Sequence, residues 1–116
     1  MFTIKSKMPK KTEYSIYVIE LDKEVLKKKK YKGKNPNHNP EKPCVYVGQT
    51  SLTPEGRFEK HQIGEKSSRI VYKYGIRLRP RLYKSHNPMK TRGEAEKMEF
   101  EKVRRLKKRG YWVWYN

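Results

Sequence analysis

The sequence predicts a small α+β domain in which a three-stranded mixed or antiparallel sheet is flanked by helices. Three observations predict it. The 116 residues suit one domain and are too few for two. Only 34% of them are hydrophobic and 36% are charged, so a core must come from a few short, well-patterned segments. Those segments follow in the order β–β–α–α–β–α, with an aromatic tail.

The elements can be justified in turn. Residues 1–12 are basic and unpatterned and read as a flexible arm, which leaves 13–116 as the folded domain. Residues 14–21 (YSIYVIEL) are rich in β-branched and aromatic side chains and read as a strand. Residues 22–43 hold a lysine run followed by Asn/Pro punctuation and read as a long basic loop. Such a loop is either functional or a solvated insertion that aids solubility. Residues 44–48 (CVYVG) form a second strand, paired antiparallel with the first across that loop. Thr53 can cap the next helix, with Pro54 at its first position and Glu55 at its positive end. That helix should end near Gly64. Ser67 or Ser68 can cap a second short helix, which stops at Gly75. In residues 76–83 (IRLRPRLY), Ile76 and Leu78 share one face of a third strand and Arg77 and Arg79 the other. Pro80 marks its edge position or its end. Residues 85–91 are a loop. Residues 94–109 form the longest helix, closed by Gly110 after a basic last turn. Residues 111–116 (YWVWYN) are extended and pack on the domain.

The charge points to a partner. Thirty Lys and Arg face 12 Asp and Glu, a net charge of +18. Self-repulsion on that scale calls for an anionic partner. Nucleic acid fits, because Lys and Arg release the counterions condensed on its phosphates. A membrane surface is disfavoured, because there is no long apolar stretch and no basic helix with a broad apolar face. The one cysteine, Cys44, excludes an internal disulfide, and it lacks metal-ligand spacing to His38, His61 or His86. No apolar segment with a cleavage site opens the sequence, so a cytoplasmic protein is the default expectation.

Two helices carry candidate chemistry. Arg57 and His61 stand four apart and project from one face. A guanidinium fits a phosphate with two donors, and an imidazole can move a proton near neutrality. The plainer reading is an ordinary exposed face of a basic protein. On the long helix Ala95, Met98, Val103 and Leu106 make an apolar stripe with Glu99 in its middle. A carboxylate there needs a cation. The plainer partner is Lys102 on the same stripe, and the sharper one is a metal ion. Glu94, Glu96 and Glu101 lie towards other faces as solvated or capping charges.

The segments SIY (15–17) and YVG (46–48), followed by Arg57 and a late Glu, resemble the GIY-YIG nuclease family, and the element order is that of the family. The resemblance spans about residues 14–116, nearly the whole chain. Tyr17 and Tyr46 match the two motif tyrosines, and Gly48 the second motif's glycine. Arg57 matches the family arginine. His61 matches a histidine found one turn later, notably in restriction-type members. GEAEKMEF (93–100) looks like the family's Ala-x-x-apolar-Glu pattern, which selects Glu99 over Glu96. Asn116 resembles the asparagine that closes the site. Ser15 and Val47 depart from the family's glycine and isoleucine, and the gap between the motifs is long.

The resemblance implies a one-metal endonuclease acting on DNA, whether duplex or a branched or repair intermediate. Glu99 would hold Mg²⁺ or Mn²⁺, and Arg57 would offset phosphoryl charge. Tyr17 would position or deprotonate water, with His61 taking up its proton or holding its hydroxyl. Tyr46 would orient water or substrate. Lys27, Lys28, Lys29, Lys30 and Lys32, with Arg77, Arg79 and Arg81, would grip the phosphate backbone. A palindromic cutter would need a homodimer. The competing expectations are a non-catalytic basic nucleic-acid-binding module of the same fold and a basic structural protein of a ribonucleoprotein.

Overall fold

A computed structural model describes residues 12–31 and 35–115. The expected arm before Thr12, and Lys32 and Asn116 among the expected site residues, lie outside the described residues. The strands are β1 (Ser15–Leu21), β2 (Cys44–Thr50), β3 (Gly75–Leu78) and β4 (Trp112–Trp114). The helices are α1 (Pro54–Gln62), α2 (Arg69–Tyr74) and α3 (Arg92–Lys108). The α+β class agrees with expectation, but the sheet has four strands in the order β3-β1-β2-β4. β1 is antiparallel to β2 and to β3, while β4 runs parallel to β2. The sheet is therefore mixed, and β3 lies at an edge, as Pro80 suggested.

The fourth strand comes from the aromatic tail. Its three residues are too few for a pattern to stand out, and its partners, Cys44 to Tyr46, are far away in sequence. Tyr31 packs edge-on against Trp114, with ring centroids 4.8 Å apart.

β1 and β2 are buried along nearly their whole length, on both faces. They therefore read as continuous apolar runs rather than as alternation. α1 and α2 pack on β1 and β3, and α3 packs on β1, β2 and β4. Two asparagines finish the sheet edges. The Asn87 amide donates to the Ile16 carbonyl and accepts its N–H, at 2.8 and 2.9 Å. Asn35 does the same for Val113, at 3.1 and 3.0 Å. Each side chain imitates a strand and satisfies an edge that would otherwise be open.

The described residues of 22–43, namely 22–31 and 35–43, carry more structure than the loop expected there. Short 3-10 turns form at Lys23–Lys27 and Lys29–Tyr31, and Val25 and Tyr31 enter the core. Two buried side chains anchor the segment between exposed lysines.

Capping follows the sequence closely. Thr53 Oγ1 accepts from the Gly56 N–H, and Pro54 opens α1. α3 starts two residues earlier than expected, because Thr91 and Glu94 form a reciprocal capping box. Gly110 adopts φ +91°, as a helix-terminating glycine should. Gly75 departs from that logic: its φ is −66° and it begins β3. A Cβ there would lie 2.6 Å from the Val71 carbonyl oxygen, so close approach of backbone explains the glycine.

Candidate active site

The cross-strand register builds the site. Tyr17 on β1 pairs with Gly48 on β2, and Tyr46 pairs with Ile19 two residues along. Paired residues share a sheet face, so both tyrosines rise from one side. Their ring centroids are 6.1 Å apart. Gly48 makes room for this: a Cβ there would lie 2.6 Å from Tyr17 Cζ and Oη and 3.0 Å from Tyr46 Cε2.

α1 brings Arg57 and His61 to the same side, one turn apart. His61 is fully buried, at 0% exposure, and its Nε2 lies 3.0 Å from Tyr17 Oη. Its Nδ1 accepts a hydrogen bond of 3.2 Å from the Ser68 backbone N–H. That bond decides the tautomer, because a nitrogen that accepts an N–H carries no proton of its own. The neutral ring therefore holds its proton on Nε2 and donates it to Tyr17 Oη. Burial, then the Arg57 charge, pushes the His61 pKa down to about 4, so the ring is neutral at pH 7. Of the two roles expected for His61, this geometry favours holding the Tyr17 hydroxyl over taking up its proton.

Arg57 Nη2 donates to the Lys66 carbonyl at 2.7 Å. Lys66 has φ 47°, a left-handed conformation uncommon for lysine. The loop thus bends sharply where it anchors the guanidinium.

α3 supplies the carboxylates. A cleft of about 430 Å³ is lined by Tyr17, Tyr46, Arg57, Glu96 and Glu99, with Gly48 among its walls. Glu99 is half-buried and makes no ion pair or hydrogen bond with a described residue. In particular it does not pair with Lys102, which is itself buried at 9% exposure. Burial, then the neighbouring Glu96, pushes the Glu99 carboxyl up to about 7. The two tyrosines are raised above their ordinary value as well. For Tyr17 burial leads, then Tyr46, with Arg57 opposing. For Tyr46 burial leads, then Glu99. A larger hollow of about 520 Å³ lies by the start of α1, but Glu13 is the one ionisable side chain in its lining.

Five of the six residues expected at the site are thus gathered from four elements, β1, β2, α1 and α3. Four line the cleft and His61 stands behind Tyr17. Glu96 was missed: it is exposed, as expected, yet it borders the same cleft. Its spacing of three from Glu99 was the available signal. The bonds from the Ser68 N–H and to the Lys66 carbonyl depend on backbone geometry and left no mark in residue type.

The expected phosphate-gripping residues lie elsewhere. Lys27, Lys28, Lys29 and Lys30 are exposed around the 3-10 turns, with Lys27 paired to Glu24. Arg77 and Arg79 bracket Glu20 at 3.6 and 3.3 Å, and Arg81 is exposed in the turn after β3. None of them lines the cleft. No group of three or more His, Cys, Asp or Glu side chains able to hold a metal occurs among the described residues. No helix among them is long and apolar enough to cross a membrane.

No family model matches the chain, and neither a curated protein nor a solved structure shows significant similarity to it.

The tautomer is open to direct measurement. In ¹⁵N spectra at pH 7, His61 should show a protonated Nε2 and a bare Nδ1. Ser68→Pro deletes the donating N–H at a φ of −70° that proline accepts. It should raise the His61 pKa and admit the other tautomer. An Nδ1-protonated ring in the wild type would refute the assignment.

Proposed function

We propose that this chain is a metal-dependent endonuclease that hydrolyses DNA phosphodiester bonds by the one-metal chemistry of the GIY-YIG kind. One observation carries the reading: two tyrosines, an arginine anchored by a carbonyl, and a half-buried carboxylate with no cation partner among the described residues converge on one cleft. A very basic chain, at +18, presents that cleft.

The donor set fits a hard divalent cation that keeps most of its waters. Glu99 offers carboxylate oxygens that no described residue engages in an ion pair, and Glu96 beside it adds negative charge. With few protein ligands on hand, water and phosphate oxygens would complete the shell. Bound there, Mg²⁺ or Mn²⁺ would polarise the phosphate and stabilise the leaving oxygen.

The chain's own groups account for the rest. Arg57 meets charge developing on the phosphoryl oxygens, and its bond to Lys66 pre-orients the guanidinium. Tyr17 Oη accepts from His61, so its own O–H is free to turn towards Tyr46 or the cleft. In that state Tyr17 orients water through its hydroxyl. For it to act as base its proton must leave on the cleft side, because His61 has no free lone pair for it. The raised Tyr17 pKa means that Arg57 and a bound cation must both lower it before phenolate forms near neutrality.

The test is incubation of plasmid with Mg²⁺ and either wild type or Arg57→Ala. Wild type should nick or linearise the DNA. The variant should bind DNA nearly as well while cleaving about 10²–10³-fold more slowly. Absence of Mg²⁺-dependent cleavage by the wild type would favour the non-catalytic module instead. Full activity in the variant would remove Arg57 from the chemistry. Sequencing the ends from a defined duplex would report strand symmetry and specificity in the same experiment.

A further inference from the structure

The exposed side of α3 carries a row of side chains that starts at the candidate active site. Glu96, Phe100, Arg104 and Lys108 follow one another at intervals of four, so they form a single ladder along the helix. All four are exposed. Glu96 borders the candidate active site. Arg104 and Lys108 border a second cleft, of about 360 Å³, together with Lys107, His38 and Tyr111. Phe100 stands between the two clefts and is 64% exposed, the most exposed aromatic side chain among the described residues.

The far cleft has firm walls. Asn35 is bonded to the Val113 backbone, and the Asn39 N–H donates to the Gly110 carbonyl at 2.9 Å. Lys42 and Arg109 both lie near the Tyr111 ring, at 5.7 and 5.5 Å. Neither Arg104 nor Lys108 is in an ion pair with a described residue, whereas their neighbour Arg105 pairs with Glu101. A bare cation pair in a walled cleft, one helix face away from a carboxylate pair, is an arrangement in need of an anion.

We propose that this ladder is a nucleic-acid track. The backbone of the DNA strand runs from the Glu96–Glu99 end of α3 past Phe100 to Arg104 and Lys108. The proposal rests on the nuclease reading of the cleft and adds the direction in which the substrate lies. Each step of four residues advances about 6 Å along the helix, so Glu96 to Lys108 spans about 18 Å. At 3.4 Å per nucleotide of a duplex strand, that covers about five nucleotides. Arg104, Lys107 and Lys108 would hold phosphates at the far end. Phe100 would pack on a sugar or on an unstacked base, a contact that tolerates any sequence. Glu96 has the wrong charge for a phosphate, which confines direct backbone contact at that end to Arg57 and a bound cation. The ladder is a different grip from the one the sequence alone suggested, Lys27 to Lys30 and Lys32 with Arg77, Arg79 and Arg81.

The experiment measures binding in EDTA, so that cleavage plays no part. Fluorescence anisotropy with a labelled 20-base-pair duplex would compare wild type, Arg104→Glu/Lys108→Glu and Lys28→Glu/Lys29→Glu. The two double variants carry the same change in charge. The α3 variant is expected to bind at least tenfold more weakly than the loop variant. Its salt dependence should flatten by about two phosphate contacts, a change of about 1.8 in the log–log slope. Phe100→Ala should weaken binding about threefold with the slope unchanged. Arg104→Ala/Lys108→Ala provides a milder pair, and circular dichroism checks the helix in each. Equal losses in the α3 and loop variants, or a larger loss in the loop, would overturn the track. No binding by the wild type would overturn it together with the choice of partner. A track that binds as described in a protein that never cleaves would overturn only the nuclease reading.

Discussion

Glu99→Gln is expected to abolish Mg²⁺-dependent cleavage and, in metal-free buffer at pH 8, to make the protein more stable. The first effect should exceed about 10³-fold, because a neutral amide is a poor ligand for a hard cation and the metal's contribution to the barrier is several kcal/mol. The second follows from the strain on the carboxyl. Burial and Glu96 raise Glu99 from an ordinary 4.5 to about 7. An acid whose folded pKa is raised contributes its full share of stability below its unfolded pKa and loses that share as pH rises through the folded value. At pH 8 the ionised carboxylate therefore destabilises the metal-free fold. With its partial exposure to solvent taken into account, the cost is about 1–2 kcal/mol.

The amide variant escapes that cost, and its advantage should shrink as pH falls from about 8 to 4.5. His61 acts in the opposite direction. Its pKa is lowered from 6.5 to about 4, so the stability it confers is present above 6.5 and is lost on acidification towards 4. In the wild type the two dependences overlap and partly cancel; in Glu99→Gln the His61 term stands alone. Urea denaturation in EDTA at pH 8 and at pH 4.5 checks this, and Mg²⁺ should stabilise only the wild type. A variant no more stable than wild type at pH 8 would mean that Glu99 is not strained. A variant that still cleaves would end its role as metal ligand.

The sequence made the backbone of this site legible because each element was short, strongly patterned and locally capped. Thr53 with Pro54 located α1, and the stripe containing Glu99 located the inward face of α3. Spacing by four placed Arg57 and His61 together, and the resemblance supplied the two tyrosines. What stayed hidden depends on long-range partners. β4 is three residues whose pairing is decided by β2. Asn35 and Asn87 look like ordinary turn residues, yet each satisfies a strand edge more than seventy positions away in sequence. The His61 tautomer depends on a backbone N–H at position 68, which every residue except proline supplies, so the serine itself gives no signal. The basic residues are uninformative for a simpler reason. With 30 of them, composition points to an anionic partner but not to the face that would meet it.

Gly48→Ala tests whether the two motif strands form one device, and its expected effect is large for a single methyl group. The reason lies in contact and not in backbone freedom, because among the described residues the positive-φ glycines are Gly64 and Gly110. The added Cβ would meet Tyr17 Cζ and Oη at 2.6 Å. Tyr17 cannot easily retreat: it is buried, and its hydroxyl is tied to His61 at 3.0 Å. The strain should cost about 1–3 kcal/mol, as overpacking in a well-filled core does. Cleavage should fall at least about 10²-fold, because a displacement near 1 Å removes that much from a positioned reaction. Gly93→Ala is the control, since its nearest neighbour, Thr91 Oγ1, is 4.0 Å away. Alanine is also the better helix former, so that variant should be as stable as wild type or slightly more so. The double variant separates the causes. In a Tyr17→Leu background the colliding atoms are gone, so Gly48→Ala should cost much less, with a coupling above about 1 kcal/mol. Activity should stay low in that background, because the hydroxyl is missing whatever occupies position 48. Stability and cleavage are then lost together in Gly48→Ala but part company in the double variant. Wild-type cleavage by Gly48→Ala would show that the Tyr17 hydroxyl need not lie where β2 now holds it.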